Sequence, residues 1–316
     1  MGKGGNGERH MVRILREICG EQGIACAAFC GDWVFRLKKN GRAALIFGYN
    51  FGINGSVAAK ICDDKCAASE LLLHSGIPAA EHHFFMAPGN LHYVGEDGNW
   101  GLLTGLLERH GALVCKTNDG TGGNCVFLVR SQAQLEDAAL KIFRQARAMA
   151  VSPFYEIRKE YRVIVLCGEA KLLYSKNIPA LVGDGVSTVC ALLARALADT
   201  GGLPNCAEVT RKEAQRVLAQ GEAYQLGWKF NLGQGAAPLP VEDEGQARTI
   251  TGLALRAARA LSIAFASVDI IETGGGYRVL EINSGVMMEN FIEAAPGNYE
   301  AAKEIYREAV LAMLAE

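Results

Sequence analysis

The sequence predicts a mixed α/β chain of the α+β kind, built on antiparallel hairpins rather than on a regular βαβ repeat. Three observations point there. The apolar runs Tyr161–Cys167 and Ala170–Ser175 are joined by the tight turn Gly168-Glu169. The runs Val268–Ile271 and Tyr277–Ile282 are joined in the same way by Thr273-Gly-Gly-Gly276. Between such pairs lie longer stretches with helical periodicity. At 316 residues, half of them apolar and 21% charged, the chain can bury a large core. That length gives room for roughly two domains or one composite enzyme.

The elements follow in order. Met1–Met11 reads as a polar, glycine-rich tail without the apolar centre of a signal peptide, and its His10-Met11 ending resembles a cloning scar. Residues 11–22 have helical periodicity, and Ala43–Phe47 is a short strand candidate. Asn54–Leu73 reads as one helix ending near His74-Ser-Gly76, with Ile77-Pro78 turning the chain onward. Leu113–Cys115 and Val126–Val129 are strands on either side of a glycine-rich turn. Gln132–Val151 is expected as a helix stopped by Ser152-Pro153. After the first hairpin come helices over Val186–Thr200, Val209–Gln220 and Ala247–Ser262. The second hairpin and a terminal helix near Tyr299–Leu314 complete the chain. It has no internal repeat and no low-complexity linker.

Charge and composition exclude several function classes. A net charge of −2 argues against a nucleic-acid partner. No apolar run reaches the ~18 residues of a membrane span. The ten cysteines form no Cys-x-x-Cys pair and sit mostly in apolar stretches, so they read as buried thiols of a reducing cytoplasm. Cys26/Cys30 and Cys62/Cys66 lack partner ligands at zinc-site spacing.

Four segments carry candidate chemistry. In Ser267-Val-Asp-Ile-Ile-Glu-Thr-Gly-Gly-Gly-Tyr-Arg-Val-Leu-Glu-Ile-Asn-Ser284, an antiparallel hairpin can set Asp269 opposite Glu281, with Asn283 on the same side two residues on. Such a set of oxygens suits Mg²⁺, which relies on substrate phosphates for its remaining ligands; it is equally the polar, wet face of an ordinary hairpin. In Val114-Cys-Lys-Thr-Asn-Asp-Gly-Thr-Gly-Gly-Asn-Cys-Val126, glycines 120, 122 and 123 let backbone N–H groups approach an anion, and Lys116 adds a mobile cation. The lysine precedes the glycines, so this is not a Walker A loop; it is otherwise a glycine-bearing hairpin. In Ser152-Pro-Phe-Tyr-Glu-Ile-Arg-Lys-Glu-Tyr-Arg162, an apolar segment beside acids suits a purine pocket, or is a solvated face. In Ser175-Lys-Asn-Ile-Pro-Ala-Leu-Val-Gly-Asp-Gly185, Lys176 is a cation at a strand end, while Gly-Asp-Gly is a turn that chemistry does not require.

Together these segments resemble the ATP-grasp ligase superfamily, in particular its cyanophycin synthetase, bifunctional glutathione synthetase and RimK-like branch. The resemblance rests on Glu160-Tyr-Arg-Val-Ile-Val-Leu-Cys-Gly168, on Pro179-Ala-Leu-Val-Gly-Asp-Gly-Val-Ser-Thr-Val189 and on Lys229-Phe-Asn-Leu-Gly-Gln-Gly235. Asp64-Lys65 with Leu72 and Gly76-Ile-Pro78, and the set Asp269, Glu281 and Asn283, complete it. It covers roughly residues 60–290, and five weak motifs occur in the right order.

The resemblance implies a fold of two α+β subdomains clasping ATP, 61–155 and 156–316, preceded by a small α/β domain over 1–60. It implies ATP and Mg²⁺ as cofactors, one or two ions, with Mn²⁺ as an alternative. Lys65 and Lys116 would contact the phosphates or the adenine side. Gly120, Thr121, Gly122 and Gly123, on to Asn124, would close over the β- and γ-phosphates. Glu156 and Ile157 would lie at the adenine hinge, Glu160 would bind ribose, and Asn231 would belong to the nucleotide site. Arg162 and Lys176 would be the catalytic cations at the γ-phosphate, and Asp269, Glu281 and Asn283 would hold the metal.

The chain also departs from the branch. The hinge Pro153-Phe-Tyr-Glu-Ile-Arg158 lacks the usual Glu-Glu-Phe/Tyr start. Asn177 and Lys229 each stand for an arginine, and Gly233-Gln234 for Ser-Thr. After Asn283 the chain reads Ser-Gly-Val-Met-Met-Glu-Asn-Phe291 instead of Ala-x-Pro-Gly, so no substrate carries over. Met287 and Met288 are expected in the core, and His74, His82, His83, His92 and His110 outside the ATP-side motifs. The expected function is a cytoplasmic Mg-ATP-dependent ligase joining a small carboxylate to the amine of an amino acid or peptide through an acyl phosphate. The expected partners include no nucleic acid and no membrane, with a homo-oligomer as an option. The alternatives are a non-amine acceptor or a nucleotide-binding regulator. Alanine at Asp269 or Glu281 is expected to remove turnover and leave the fold.

Overall fold

The computed structural model describes residues 8–93, 100–120, 125–178, 180–200, 209–225 and 236–315. Helix α1 (His10–Gln22) buries Met11, Ile14, Leu15 and Ile18 on one stripe. It ends at Gly23, whose left-handed backbone (φ 63°) lets its N–H close onto Cys19 O. Four antiparallel strands follow as a meander: β1 (Ala25–Phe29), β2 (Val34–Lys39), β3 (Arg42–Phe47) and β4 (Asn50–Phe51). Only the third of them is expected from the sequence. β1 is exposed at every position, so it lacks the apolar/polar alternation that marks a half-buried strand.

The helix expected over Asn54–Leu73 is two helices, α2 (Ser56–Asp63) and α3 (Lys65–His74). Asp64 separates them in an extended conformation, and its carboxylate accepts the Ala67 N–H at 2.8 Å, starting a new helix as an N-cap. The next unit comprises β5 (His83–Met86), α4 (Trp100–His110), β6 (Leu113–Thr117), β7 (Val126–Val129), α5 (Gln132–Phe143) and β8 (Ala148–Pro153). Its strands form an antiparallel sheet in the order β5-β8-β6-β7. The helix expected over Gln132–Val151 therefore stops at Phe143, and its last residues form an inner strand. Met149, Ala150 and Val151 are buried on both faces, and a continuous apolar run of that length does not distinguish strand from helix.

The remainder holds β9 (Lys159–Leu166), β10 (Glu169–Asn177), β11 (Ala180–Val182), α6 (Val189–Thr200), α7 (Arg211–Ala214), β12 (Ala223–Gln225), β13 (Ala237–Leu239) and α8 (Glu244–Ala260). It ends with β14 (Phe265–Thr273), β15 (Gly276–Asn283), α9 (Glu289–Ala294) and α10 (Asn298–Leu314). Both expected hairpins are present, as β9/β10 and β14/β15, and they join in one antiparallel sheet, β13-β10-β9-β14-β15. The helix expected over Val209–Gln220 shrinks to the single capped turn of α7, after which Leu218 is buried beside Val189 and Leu181.

This larger sheet is covered on both faces. Tyr161, Val163 and Val165 of β9 pack with Val268 and Ile270 against α8, α2 and α3. Ile164, Leu166 and Phe265, on the opposite face, pack against α1, the meander, α9 and α10. Met288 is buried as expected, whereas Met287 is exposed. No described helix is long and apolar enough to cross a membrane. Cys19, Cys62, Cys66 and Cys115 are buried free thiols as expected, and Cys125 is half-buried. Cys26, Cys30, Cys167 and Cys190, also free, are exposed because they lie on the outward meander strand, in turns or on an outer helix face.

Candidate active site

Strand alternation builds the site. On β9, Glu160 and Arg162 share a face with Ile164 and Leu166, so one end of that face is ionic and the other is core. In register, Arg162 lies opposite Asp269 of β14 on one side, and Glu160 opposite Lys176 of β10 on the other. Arg162 grips Asp269 with two bonds, Nε to Oδ1 at 2.7 Å and Nη2 to Oδ2 at 2.6 Å. Lys176 Nζ donates to Asp269 Oδ1 at 2.9 Å and also to Glu160 Oε1. Lys176, Glu160 and Asp269 are all buried.

Two cations and two carboxylates thus neutralise one another in a largely buried site. Burial alone would raise the Asp269 carboxyl, but Arg162 and Lys176 outweigh it and hold it well below the usual range. Burial and Arg162 would lower the Lys176 ammonium, yet Asp269 and Glu160 keep it above the ordinary lysine value. At Glu160 burial wins over Lys176 and pushes the carboxyl up to about 7.

Glu281 and Asn283 reach this face through a β-bulge. Asp269 pairs with Glu281, but Ile270 pairs with Val279, so Leu280 is an extra residue. The bulge allows Val279 and Ile282 to face the same core although three residues apart, while Glu281 stands across from Asp269. Asn283 Nδ2 donates to Glu281 Oε1 at 3.3 Å. Among the described residues no cation ion-pairs with Glu281, and no group of three or more His, Cys, Asp or Glu forms a ready metal cage. One carboxylate that pairs with no described cation, beside an amide oxygen and with Asp269 close by, fits Mg²⁺, which binds through one or two carboxylates and takes other ligands from phosphates.

The glycine-rich segment approaches from the smaller sheet. Lys116 of β6 is 8% exposed, and among the described residues its ammonium forms no ion pair. Burial lowers its ammonium, and Glu281 is the strongest influence opposing that fall. Lys65, first residue of α3, donates Nζ to Asn118 O at 3.2 Å and to Gly120 O. Asn118 returns the contact by accepting the Cys66 N–H on its side-chain oxygen at 3.2 Å. A Cβ at Gly120 would lie 1.8 Å from Thr117 Oγ1, so any larger residue there requires the Thr117 side chain to move. Thr121, Gly122, Gly123, Asn124 and all of 229–235, Asn231 included, lie outside the described residues.

Glu156 is exposed and Ile157 half-buried in the connection between β8 and β9. Glu160, expected at a ribose, lies in the ionic cluster with its Oε1 accepting from Lys176. Two features escaped sequence reasoning. Asn118, in the turn Thr117-Asn-Asp-Gly120, read only as a loop residue. His82, expected away from the ATP side, lies close enough to Lys116 and Lys65 that burial and then these two cations push its imidazole well below the ordinary value.

No protein-family model and no curated protein sequence matches the chain. Solved structures do. A bifunctional glutathione synthetase from Pasteurella multocida superposes with a TM-score of 0.55 over 94% of this chain, at 18% identity. The chain spans 44% of that protein's length. D-alanine–D-alanine ligase from Bacillus anthracis superposes with a TM-score of 0.53 over 83% of this chain and 68% of its own, at 15% identity. The same ligase complexed with ATP gives 0.51 at 16% identity, over 83% of this chain and 67% of its own. The fold is the ATP-grasp fold of these enzymes.

Proposed function

We propose that this chain is a Mg-ATP-dependent carboxylate–amine ligase of the ATP-grasp type. The observation that carries the reading is the Arg162–Asp269–Lys176–Glu160 cluster next to a Glu281 that pairs with no described cation and a buried Lys116. Phosphoryl transfer needs little covalent chemistry from a protein; it needs fixed cations and metal ligands around a polyphosphate. In this reading 61–155 and 156–316 close on ATP, with Glu156 and Ile157 at the adenine and the 120–124 turn over the phosphates.

Glu281, Asn283 and Asp269 would hold Mg²⁺, which, when bound, supplies charge neutralisation at the phosphates. A carboxylate oxygen of the donor attacks the γ-phosphorus and ADP leaves, producing an acyl phosphate. The acceptor amine then attacks the acyl carbon, the C–O bond to phosphate breaks, and an amide and inorganic phosphate result. Arg162 and Lys176 are held within reach of the transferring phosphoryl group by the same carboxylate, so both are oriented before substrate arrives. Lys116 and Lys65 would meet the remaining phosphate charge; Lys65 already holds the glycine turn at Gly120.

The free thiols fit a reducing cytoplasm, and a homo-oligomer is compatible with the reading. The test is ADP release from Mg-ATP with a pool of amino acids and short peptides. Amine-dependent ADP with matching phosphate supports the ligase. ATP binding without any acceptor-dependent turnover would replace it with a nucleotide-binding regulator.

A further inference from the structure

A cavity of about 950 Å³ is lined by α3, α4 and β5, the edge strand of the smaller sheet. That volume is at the upper end of the range for sites that enclose a small molecule. Each helix turns one face to it. On α3 the face includes Glu70 and Leu73; on α4 it includes Leu102, Gly105, Leu106 and Arg109, at helical spacing. Leu73 is 40% and Leu102 50% exposed, so both helices present apolar side chains there. Two titratable groups on the wall are uncharged at neutral pH. Burial pushes the Cys66 thiol up to about 12. The His82 imidazole, 3.2 Å from Ala80 O through Nδ1, is held well below its ordinary value by burial and then by Lys116 and Lys65. None of the residues of the ionic cluster lines this cavity, nor does Lys116 or Glu281.

Gly105 keeps the cavity open. It sits in the middle of α4, and a Cβ built there meets nothing within 4 Å, so neither a turn nor close packing calls for glycine. Glycine inside a helix costs roughly 0.5–1 kcal/mol against alanine. The residue therefore weakens its helix and leaves a gap in the wall. Arg109, one turn further along the same face, is exposed, and among the described residues no carboxylate pairs with it. Of the acids on the walls, Glu81 lies 3.9 Å from His83 Nε2, and Glu70 belongs to α3 rather than to the arginine's helix. Apolar walls with one unpaired guanidinium at the α4 side suit an apolar body that carries one anionic group.

We propose that the cavity between α3, β5 and α4 is a second ligand site, apart from the nucleotide site, that takes a hydrophobic carboxylate. The apolar body lies against Leu73, Leu102, Leu106 and Gly105, and the carboxylate meets Arg109. The inference does not depend on the ligase reading. The site is nevertheless tied to the glycine turn, because α3 forms one of its walls and begins at Lys65, which donates to Gly120 O. Two fluorescent probes test it. Anilinonaphthalene sulfonate is an aromatic anion whose sulfonate stands in for the carboxylate. Phenylnaphthylamine is the same ring system without the charge. Both are titrated into the native chain with saturating Mg-ATP present, which keeps them out of a nucleotide pocket.

The native protein should bind one equivalent of the sulfonate saturably. Gly105→Leu puts a side chain into the gap and should weaken both probes by about tenfold or more, with a Tm no lower than native because leucine is the better helix former. Arg109→Gln should weaken the sulfonate by about tenfold and leave phenylnaphthylamine unchanged, as expected for one charge-assisted contact. Absence of saturable binding to the native protein overturns the proposal. So does binding that Gly105→Leu leaves intact, which places the probes elsewhere. An Arg109→Gln protein that binds both probes as the native one does, or loses both equally, overturns the assignment of an anion to Arg109. Should Gly105→Leu fail to fold, the two titrations of Arg109→Gln decide alone.

Discussion

Replacing Asp269 by alanine would leave Arg162 and Lys176 facing each other in a buried site, with Glu160 the remaining carboxylate. Removing one partner of a buried charge pair costs roughly 3–5 kcal/mol, so Asp269→Ala should unfold much more readily as well as lose turnover. Glu281→Gln removes a carboxylate that pairs with no described cation. It should keep the native Tm within a degree or two while ADP release falls by about 100-fold or more. The sequence treats these two acids alike; the structure separates them, because only one neutralises cations. Glu160 yields a pH prediction. Its carboxyl titrates at about 7 in the fold against 4.5 as the ordinary value, so the native state binds the proton more tightly. That contribution is full below 4.5 and is lost as pH rises through 7, by up to about 1.4 kcal/mol per pH unit in that window. Urea denaturation at a series of pH values should show this slope in the native protein and a flatter profile in Glu160→Gln; identical slopes would refute the assignment.

At the scale of elements, the β14/β15 hairpin was readable from two apolar runs and a glycine turn, and so was the pairing of Asp269 with Glu281. The bulge at Leu280 was not, because it answers to a core on the far face, where Val279 and Ile282 both pack. The β8 strand was misread for a related reason: Ala148-Met-Ala-Val151 is apolar on both faces and carries no period. The α2/α3 break was legible in principle, since Asp64 is a strong N-cap type, yet apolar periodicity runs across it. Asn54 shows what such local reading leaves out. One side chain closes three backbone groups at the start of β14, from more than two hundred residues away. Asn54→Ala should cost roughly 2–3 kcal/mol in chemical denaturation, whereas a loss under about half a kcal/mol would mean those groups find other partners.

In the whole molecule the two chain ends share one core. Met11, Ile14 and Leu15 of α1 pack with Ile305, Tyr306 and Ala309 of α10 over the ionic face of the large sheet. Glu289 fastens this arrangement: buried at 3% exposure, it accepts the N–H groups of His10 at 2.8 Å and Met11 at 3.1 Å, and the Tyr49 hydroxyl at 3.1 Å. It caps a helix that has no cap of its own. Glu289→Ala should cost roughly 1–3 kcal/mol and should speed hydrogen exchange in α1 before the central sheet; uniform exchange would show that the two ends do not open separately.

The sequence by itself determined the two hairpins, the residue types able to meet a triphosphate, and their order along the chain, because alternation and turn chemistry are local. Tertiary structure alone decided which charges meet. Arg162, Lys176, Glu160 and Asp269 come from three strands whose adjacency no local rule specifies. Asp63 and Asn50 meet the Ser284 hydroxyl only because the meander and α2 pack against the exit of β15. Pairing across strands is set by the burial of the faces behind them, and that burial exists only once the whole chain has folded.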